Sequence, residues 1–598
     1  MLSILLQFWL LLIPFGLGAG AGEVPQKIYI RVNQVGYLLA EEKSALLFSN
    51  RPVREKYALV DSESEDVVLW LKPSLSKAET WGAFDYYYLC DFSQVTRPGS
   101  YFLRGERTGT SSGVFQISDQ AYDHLQEILL EFMRQQRCGY NPALDMVCHQ
   151  RDGRSFYGPM PDSTYVDVSG GWHDAGDQLK YLITGSYATA HMLLSYSLYP
   201  DRFEDFTNAL GQPGANGIPD VLDEAKWGLD WIFKLHPAPD QLVHQVADDR
   251  DHRGWKMPDQ DSSDYGWGAN SYRAAYFADG KPQGLHLYKS EATGVSNLAG
   301  RSAAAMARAA RIWKEELDDP YFAGKCLEAS RSLYNLGKAK EGFQQGNSYG
   351  APYRYGEETW ADDMEWGAAE LYKTTGEKSY LEDAKKYARM AGTVSWMPLD
   401  TAKHYQYYPF INVGHYALYD LVDPAFRDSL AAYYRAGIES CLSRAGKNPY
   451  GIGIPFIWCS NNLLTSLITQ IILYQHMTGD DRYAQMLVQQ RDWLFGRNPW
   501  GTSMFTGIPE GGEYPVDVHT SVYALAGLEV RGGLIDGPVY GSIYRNLKGL
   551  LLNDPDEFEA VQNPYVVYHD DMGDYSTNEP TMDGTAGAIV MITHFASQ

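Results

Sequence analysis

The hydrophobic positions of this chain follow two different periods. Between residues 27 and 118, short β-rich runs alternate with turn residues, and Pro98-Gly99 marks one of the turns. The runs lie at 28–32, 45–48, 67–71, 86–89, 101–103 and 114–117. About seven short strands in about 90 residues predict a small all-β sandwich of immunoglobulin type over residues 27–118.

From residue 119 onward, apolar residues recur at the spacing of an α-helix. Ala121, Leu125, Ile128 and Phe132 lie on one face of the first predicted helix. Further patterns predict helices near 179–198, 219–235, 296–315, 319–337, 360–375, 379–391, 411–421, 424–443, 461–478, 480–495 and 583–596. About twelve helices predict an all-α domain over residues 119–598. Its long loops at 252–290, 342–360 and 498–518 are rich in Gly, Tyr and Trp, which favours a functional role for them.

The N-terminus has the pattern of an export signal. An apolar run from Leu2 to Leu17 is interrupted by Gln7 and Pro14, and the small residues 18–22 suit a signal peptidase. We therefore expect a signal peptide over residues 1–22, a secreted or periplasmic protein, and no stable membrane association after cleavage. Because no Lys or Arg precedes Lys27, a membrane anchor is the alternative, although the run is short for a membrane span.

The composition excludes several classes of protein. The 598 residues include 50 Lys+Arg and 75 Asp+Glu, giving a net charge of −25, which argues against nucleic acid as a partner. An aromatic content of 14% and a charged content of 21% argue against disorder. Six cysteines are too few for a disulfide scaffold. The many aromatic rings suit the flat faces of sugars, although most rings in any protein lie in the core.

Two acidic motifs are candidates for catalysis. Residues 170–177 read GGWHDAGD, which places Asp174 and Asp177 three residues apart before a predicted helix. Small residues let a ligand approach the backbone, but Asp177 also suits the N-cap of that helix. Residues 569–580 read HDDMGDYSTNEP, which is too irregular for the solvated face of a helix. Pro580 favours an extended Glu579, and a calcium loop or polar turn is the alternative for this segment.

Two thiols and two imidazoles form a third candidate site. Cys138, Cys148, His149 and His173 make a complete tetrahedral zinc set, although their spacing is not that of a zinc finger. A Cys138–Cys148 disulfide is the alternative in a secreted protein. Because His173 adjoins Asp174, a metal here would brace the acidic loop, which predicts a structural role with no open position for water.

The motifs together carry a resemblance to a known family. The segments GWHDAGD at 171–177 and DYSTNE at 574–579 resemble the signature pair of glycoside hydrolase family 9, the inverting cellulases. Residues 32–37, VNQVGY, resemble the opening of the immunoglobulin-like module that precedes many of them. IWCSNN at 457–462 and RNPWG at 497–501 also fit the family. The resemblance spans residues 27–598 and implies an (α/α)6 barrel with an open cleft at one end.

The resemblance also implies roles for individual residues. Asp177 is expected to be the base that activates water, and Asp174 to hold and polarise that water. Glu579 is expected to be the acid, so its surroundings must raise its pKa to keep it protonated at the working pH. Inverting enzymes hold the two carboxyls about 6.5–9.5 Å apart to leave room for the water. Tyr575 is expected to line the cleft or order this region.

Metal sites carry over in the same way. The resemblance implies structural zinc at the four Cys and His residues named above. It also implies calcium at Asp362 and Asp363, where relatives have an acidic pair whose oxygens suit that ion. An acidic first turn of a helix is the alternative for Asp362 and Asp363.

One departure from the family concerns the substrate. Many family cellulases have His-His-Arg in the loop that grips the sugars below the cut, whereas residues 515–521 read PVDVHTS here, with His519 but no Arg. Trp267, Tyr272 and Trp500 are candidate platforms for sugar stacking or, alternatively, core residues.

These observations predict a secreted, monomeric hydrolase that cleaves β-1,4-glucosidic bonds of cellulose or related β-glucans with inversion, in an endo mode. One alternative is an exo-acting glucosidase, glucosaminidase or cellobiohydrolase on oligosaccharides, which the missing Arg makes more credible. Another is a non-catalytic carbohydrate-binding protein, but such a protein has no need of three intact carboxylate positions. A zinc hydrolase is a weaker option.

Overall fold

The computed structural model describes residues 25–78, 81–392, 397 and 413–598. The predicted signal peptide at 1–22 and the first two residues of the helix predicted at 411–421 lie outside the described residues. No helix in the part of the chain described here is long and apolar enough to cross a bilayer.

The N-terminal part contains eight β-strands arranged in two four-stranded sheets, with the orders β1-β2-β6-β5 and β4-β3-β7-β8. The strands are β1 (Ile28–Arg31), β2 (Ser44–Ser49), β3 (Tyr57–Asp61), β4 (Val67–Leu71), β5 (Ser74–Leu75), β6 (Tyr86–Asp91), β7 (Gly99–Gly105) and β8 (Phe115–Ile117). Buried and partly exposed residues alternate along β7, as expected for a strand with one face toward a core. The two sheets confirm the predicted immunoglobulin-like sandwich.

Two of these strands were not among the predicted runs. Every residue of β3 is buried, so β3 lacks the polar–apolar alternation that identifies a half-buried strand. The two-residue strand β5 is exposed and too short to give a pattern.

The rest of the described chain contains fourteen α-helices. They are α1 (Leu125–Gln135), α2 (Leu182–Leu198), α3 (Asp220–Leu235), α4 (Ser296–Glu315), α5 (Pro320–Ala339), α6 (Ala361–Thr375), α7 (Lys378–Ala391), α8 (Val413–Tyr419), α9 (Pro424–Ala445), α10 (Ser460–Thr478), α11 (Ala484–Leu494), α12 (Ser521–Ala526), α13 (Gly541–Tyr544) and α14 (Met582–Ala596). Twelve correspond to predicted helices. The other two, α12 and α13, are at most six residues long and give no helical period.

Six helices close into an inner ring. Helices α2, α4, α6, α8, α10 and α14 each pack against the next, and α14 packs against α2. Helices α1, α3, α5, α7, α9 and α11 pack on the outside of this ring. All residues of the inner helix α14 are buried, whereas the outer helix α7 buries one face through Tyr380, Ala384, Tyr387 and Ala388. This arrangement confirms the predicted (α/α)6 barrel.

The sandwich and the barrel share buried contacts. Asn33 of the VNQVGY segment donates to the hydroxyl of Tyr122 at 2.7 Å and to Oδ1 of Asp492 at 2.8 Å. Trp81 packs edge-on against Tyr450 with ring centroids 4.9 Å apart. Because side chains of both parts belong to one buried cluster, the boundary at residues 118 and 119 stays a prediction.

Short strands connect the barrel helices at the end where the acidic motifs lie. They are β9 (Tyr140–Asn141), β10 (Met146–Val147), β11 (Arg154–Phe156), β12 (Lys180–Tyr181), β13 (Val243–Val246), β14 (Ala274–Phe277), β15 (Leu534–Ile535), β16 (Val539–Tyr540), β17 (Val566–Val567) and β18 (Pro580–Thr581). Strand β12 begins three residues after Asp177, and β18 directly follows Glu579. These strands therefore hold the two motifs at the same end of the barrel.

Candidate active site

The loop of the first acidic motif is held by a close backbone approach. A Cβ atom on Gly176 would collide with the carbonyl oxygen of His519, so only glycine fits at this position. Helix α2 begins at Leu182 with Tyr181 as its N-cap residue, so the N-cap alternative for Asp177 is wrong. Instead, Asp177 Oδ1 accepts the backbone N–H of Leu179 at 3.0 Å, which fixes the turn two residues further on.

The second oxygen of Asp177 contacts an imidazole. Nε2 of His252 lies 2.9 Å from Asp177 Oδ2. Burial lowers the pKa of His252, but its hydrogen bond to Asp177 and the nearby carboxylate charges outweigh burial and raise it overall. The contact with this imidazole holds Asp177 Oδ2 in one orientation, as a positioned general base requires. Sequence reasoning missed His252, although it opens one of the long aromatic-rich loops.

Asp174 lies beneath Asp177 and is 2% exposed. Its Oδ1 accepts the hydroxyl of Thr184 at 2.5 Å, and its Oδ2 accepts the hydroxyl of Tyr355. Burial first, then the charges of Asp583 and Asp177, raise the pKa of Asp174 well above its ordinary value. Each carboxylate oxygen of Asp174 can accept a second hydrogen bond. The expected role of Asp174 in holding the attacking water stays a prediction.

Glu579 is partly buried and directly precedes β18. Its Oε1 accepts the backbone N–H of Gly176 at 2.9 Å, which joins the two acidic motifs directly. Burial, followed by the charges of Asp536 and Asp177, raises the pKa of Glu579 well above its ordinary value. A carboxyl that stays protonated near neutral pH can act as a general acid.

The other acids of the second motif fold its loop. Asp570 accepts the N–H groups of Val516 and Asp517 at 2.8 and 3.0 Å. Asp571 accepts the N–H groups of Asn553, Asp554 and Gly573. Asp574 accepts the hydroxyls of Ser576 and Thr577 and contacts the imidazole of His569. These contacts match the polar-turn alternative for the three residues rather than a calcium loop.

A cavity of about 320 Å³ lies elsewhere on the barrel, but the larger cavity, of about 590 Å³, contains both Asp177 and Glu579. Several rings line the larger one. Trp255 packs against His519 with centroids 4.6 Å apart, Trp458 against Tyr575 at 5.6 Å, and Tyr353 packs against His252 at 4.9 Å. A concave site with aromatic walls and a few polar groups suits a sugar chain.

The predicted sugar contacts divide into two groups. His519 and Tyr575 line the cavity. Trp500 is 4% exposed and packs against Trp493 and Tyr568, so the prediction of a stacking platform there is wrong because no face of the ring is free.

Trp267 and Tyr272 are also outside the cavity lining. The guanidinium of Arg154 lies over both rings, 5.6 Å from Trp267 and 4.1 Å from Tyr272. Trp255, Tyr353 and Trp458 line the cavity instead. Trp255 and Tyr353 lie in two of the long aromatic-rich loops, and Trp458 lies in the IWCSNN segment.

The four Cys and His residues of the third motif meet in one cluster. Their ligand atoms all lie within 4.8 Å of one another, with Cys138 Sγ 3.6 Å from His149 Nδ1 and His149 Nδ1 3.2 Å from His173 Nε2. A tetrahedral zinc site has N···S edges of about 3.5 Å and N···N edges of about 3.3 Å, so the donor set fits zinc. Both cysteines are free thiols, which disagrees with the disulfide alternative.

A second layer of contacts supports this cluster. Nε2 of His149 lies 3.3 Å from Asp261 Oδ2, the arrangement that orients a metal-bound imidazole. The N–H of His173 donates to the carbonyl of Gln136, and the N–H of Cys138 donates to the carbonyl of Gly171. The cluster therefore ties the start of the Asp174 loop to the segment after α1.

The predicted calcium pair begins helix α6. Oδ1 of Asp363 accepts Arg301 Nε at 2.8 Å, and the same guanidinium contacts Glu357 at 2.6 Å. Asp362 is buried, and burial raises its pKa to about 7. Because Arg301 already neutralises Asp363, these contacts match the alternative of an acidic first helical turn.

Comparisons with known proteins agree with this geometry. A family model described as glycosyl hydrolase family 9 matches residues 122–592, and one described as the cellulase N-terminal ig-like domain matches residues 26–110. Endoglucanase C of Cellulomonas fimi is 27% identical over 523 residues, which are 80% of this chain and 44% of that protein. The chain thus spans less than half the length of that relative.

Two further proteins match over nearly their whole length. The xyloglucan-specific endo-beta-1,4-glucanase of Bacteroides ovatus is 26% identical over 94% of this chain and 92% of its own. The crystal structure of a metagenome-derived glycoside hydrolase family 9 endoglucanase superposes with a TM-score of 0.75 at 27% identity, over 96% of this chain and 99% of that one.

Proposed function

The chain belongs to glycosyl hydrolase family 9, and from this premise we propose that it hydrolyses β-1,4-glucosidic bonds within glucan chains through Asp177 and Glu579. It is a glycoside hydrolase of cellulase type. The observation that carries the assignment of roles is the contrast between two carboxyls in one cavity. Asp177 contacts an imidazole, whereas Glu579 is partly buried beside other carboxyls. Two carboxyls in such different surroundings can take different roles, and we assign Asp177 as the base and Glu579 as the acid.

The proposed reaction is a single displacement with inversion. Asp177 removes a proton from a water molecule as its oxygen attacks the anomeric carbon, and Glu579 gives its proton to the departing glycosidic oxygen. His252 donates to Asp177 and keeps its carboxylate aimed. After the cut, Asp177 carries the extra proton and Glu579 is ionised, and exchange with solvent restores both groups.

The endo mode is tested by comparing two measurements on a soluble cellulose derivative. An endo-acting enzyme lowers the viscosity of the solution early, when few reducing ends have appeared. An exo-acting enzyme releases one small product while the viscosity stays high. Xyloglucan assayed in parallel tests whether the cavity accepts a branched chain, and a defined oligosaccharide gives the product pattern.

Trp255 is the proposed platform for a sugar ring, since it lines the cavity and is 38% exposed. We expect Trp255→Ala to raise KM for cello-oligosaccharides about 2- to 10-fold with a smaller change in kcat, because ring stacking contributes about 0.5–1.5 kcal/mol. The matched control is Trp267→Ala, which removes an indole outside the cavity. Equal KM changes in the two variants would contradict a platform at Trp255.

We also propose that the four-residue cluster holds one structural zinc ion. Cys138, Cys148, His149 and His173 would be its ligands, leaving no position for water. Calcium at Asp362 and Asp363 is not part of this proposal, because Arg301 supplies the positive charge beside Asp363.

Zinc content and thermal unfolding test this site. The purified chain is expected to contain one zinc ion by elemental analysis, and Cys148→Ser is expected to lose it and lower the unfolding midpoint by about 5–10 °C. Cys441→Ser, which changes a buried thiol outside the cluster, should retain the metal. A metal-free wild-type chain with a Cys138–Cys148 disulfide would disprove the zinc assignment.

The proposed cellular setting follows from the substrate. A polymeric glucan or its oligosaccharides are met outside the cytoplasm, which fits the leader predicted at residues 1–22. We therefore propose a secreted or periplasmic enzyme that acts as a monomer and does not stay attached to a membrane.

A further inference from the structure

A carboxyl outside the family motifs faces the catalytic acid across a strand pair. Strands β15 and β18 are antiparallel, with Ile535 opposite Pro580. One residue further, the N–H of Asp536 donates to the carbonyl oxygen of Glu579 at 2.8 Å. Residues directly opposite in an antiparallel pair carry their side chains on the same face, with Cβ atoms about 5 Å apart. The backbone therefore places the side chains of Asp536 and Glu579 next to each other on one face of the strand pair.

Asp536 is anchored from its other side by the turn before α10. Its Oδ2 accepts the indole N–H of Trp458 at 3.1 Å, and its Oδ1 accepts the thiol of Cys459 at 3.0 Å. A Cβ atom on the next residue, Gly537, would collide with the side chain of Asn461, so this turn is packed tightly against the start of α10. Asp536 is 1% exposed and does not line the cavity, so it does not touch substrate.

We propose that Asp536 is a positioning residue that forms a carboxyl pair with Glu579, holds the proton on Glu579 and thereby sets the upper pH limit of activity. This inference rests on the proposed role of Glu579 as the acid. Asp536 is buried and Glu579 is partly buried. Two neighbouring carboxyls in such surroundings cannot both ionise readily, so they share one proton over a range of pH. The reaction consumes that proton when the leaving oxygen departs.

The hydrogen bonds decide which carboxyl keeps the proton. Asp536 accepts two donors, from Trp458 and Cys459, whereas Glu579 accepts the N–H of Gly176. Donors to a carboxylate favour its charged form, so Asp536 is the charged member of the pair. After burial, Asp536 is the largest cause of the raised pKa of Glu579. Burial also raises the pKa of Asp536 itself.

Other ionisable groups face the pair from every neighbouring element. Carboxyls act on it from the base loop, from α14 and from the loop before Glu579: Asp174, Asp177, Asp583 and Asp574. The cavity side carries further ionisable groups, which are Asp251, His252, Lys256, Tyr353, Arg354, His519, Lys548 and Tyr575. The negative charges of these carboxyls all favour a proton on the pair. Asp177 and Asp174 raise the pKa of Glu579 less than Asp536 does. Asp583 and Asp574 raise the pKa of Asp536.

The test is the pH profile of Asp536→Asn, which removes the charge and keeps the size. We expect the alkaline limb of kcat/KM for cello-oligosaccharides to move about 1–2 pH units lower. The reason is that removing the negative charge of Asp536 lowers the pKa of Glu579, so Glu579 loses its proton at a lower pH. At acid pH, where Glu579 is protonated in both proteins, the activity should stay close to wild type. Asp536→Glu retains a carboxyl and should keep the limb near its wild-type position.

Asp571→Asn is the matched control, because Asp571 lies in the loop before Glu579 and is not among the main causes of its raised pKa. Its alkaline limb should not move. A fall in the activity of Asp536→Asn at every pH, with the limb unmoved, would show a merely structural residue and overturn the inference.

A second variant covers the case in which Asp536→Asn does not fold. Cys459→Ala removes a donor that stabilises the charged form of Asp536, so the limb should move in the same direction by a smaller amount. An unmoved limb in folded Cys459→Ala would also overturn the inference. Failure of the proposed function looks different, because Glu579→Gln would then retain activity on natural substrates.

Discussion

Replacing Glu579 with glutamine is expected to lower kcat for cello-oligosaccharides about 10²- to 10⁴-fold, the contribution typical of a positioned general acid. The departing sugar oxygen is a poor leaving group unless it receives a proton, and glutamine cannot supply one. Glutamine has the same size, and its carbonyl can accept the N–H of Gly176 as Oε1 does now. The binding of substrate should therefore change much less than the rate.

An aryl glycoside of an acidic phenol provides the control for this loss. Its leaving group departs without a proton, so Glu579→Gln should retain most of the wild-type rate on that substrate. The wild-type rate on cello-oligosaccharides is present below the raised pKa of Glu579 and is lost as pH rises through it, and the variant should lack this alkaline limb on the aryl substrate. Undiminished hydrolysis of cello-oligosaccharides by Glu579→Gln would disprove the assignment.

The sequence contains enough information to find the two acidic motifs but not their surroundings. Asp177 and Glu579 stand in compact segments of small, polar and acidic residues that resemble the family motifs. His252, Tyr353 and Asp536 join them from loops more than 40 residues away in the chain. These residues reach the site because the ring of helices closes and brings α14 against α2. A local sequence pattern does not predict contacts between residues so far apart in the chain.

The sequence also does not show which aromatic residues of the loops are exposed. Trp255 and Trp500 both lie in glycine-containing loops, and composition gives no reason to prefer one as a sugar platform. Trp500 is covered by Trp493 and Tyr568, whereas Trp255 packs against His519 and remains partly exposed. Burial of a loop ring is decided by tertiary packing, so only the fold separates a core ring from a surface ring.

The helices could be predicted because an amphipathic period is a local property. Even α14, which is buried on all sides, is a mostly apolar segment of 15 residues, a length that indicates a helix rather than a strand. The four Cys and His residues of the cluster could also be predicted, in their case from residue type. Asp261, which contacts His149 from 112 residues away, could not.

Replacing Asp177 with asparagine is expected to lower kcat by a similar factor, about 10²- to 10⁴-fold, but with a different dependence on the leaving group. Water must lose a proton to attack whichever group departs, so the aryl glycoside should be affected as strongly as cello-oligosaccharides. The variant should remain folded, because the amide oxygen can still accept the N–H of Leu179. The ratio of the rate on the aryl glycoside to the rate on cello-oligosaccharides therefore distinguishes loss of the base from loss of the acid.

Azide gives the decisive measurement on Asp177→Asn. This small anion needs no proton removed, so it can attack the anomeric carbon from the side that water uses, while Glu579 still protonates the leaving oxygen. We expect sodium azide to restore turnover of cello-oligosaccharides in Asp177→Asn and to yield the glycosyl azide of inverted configuration. Glu579→Gln should gain nothing from azide on these substrates, because its defect lies at the leaving group. If azide instead restored Glu579→Gln and left Asp177→Asn inactive, the two roles would have to be exchanged.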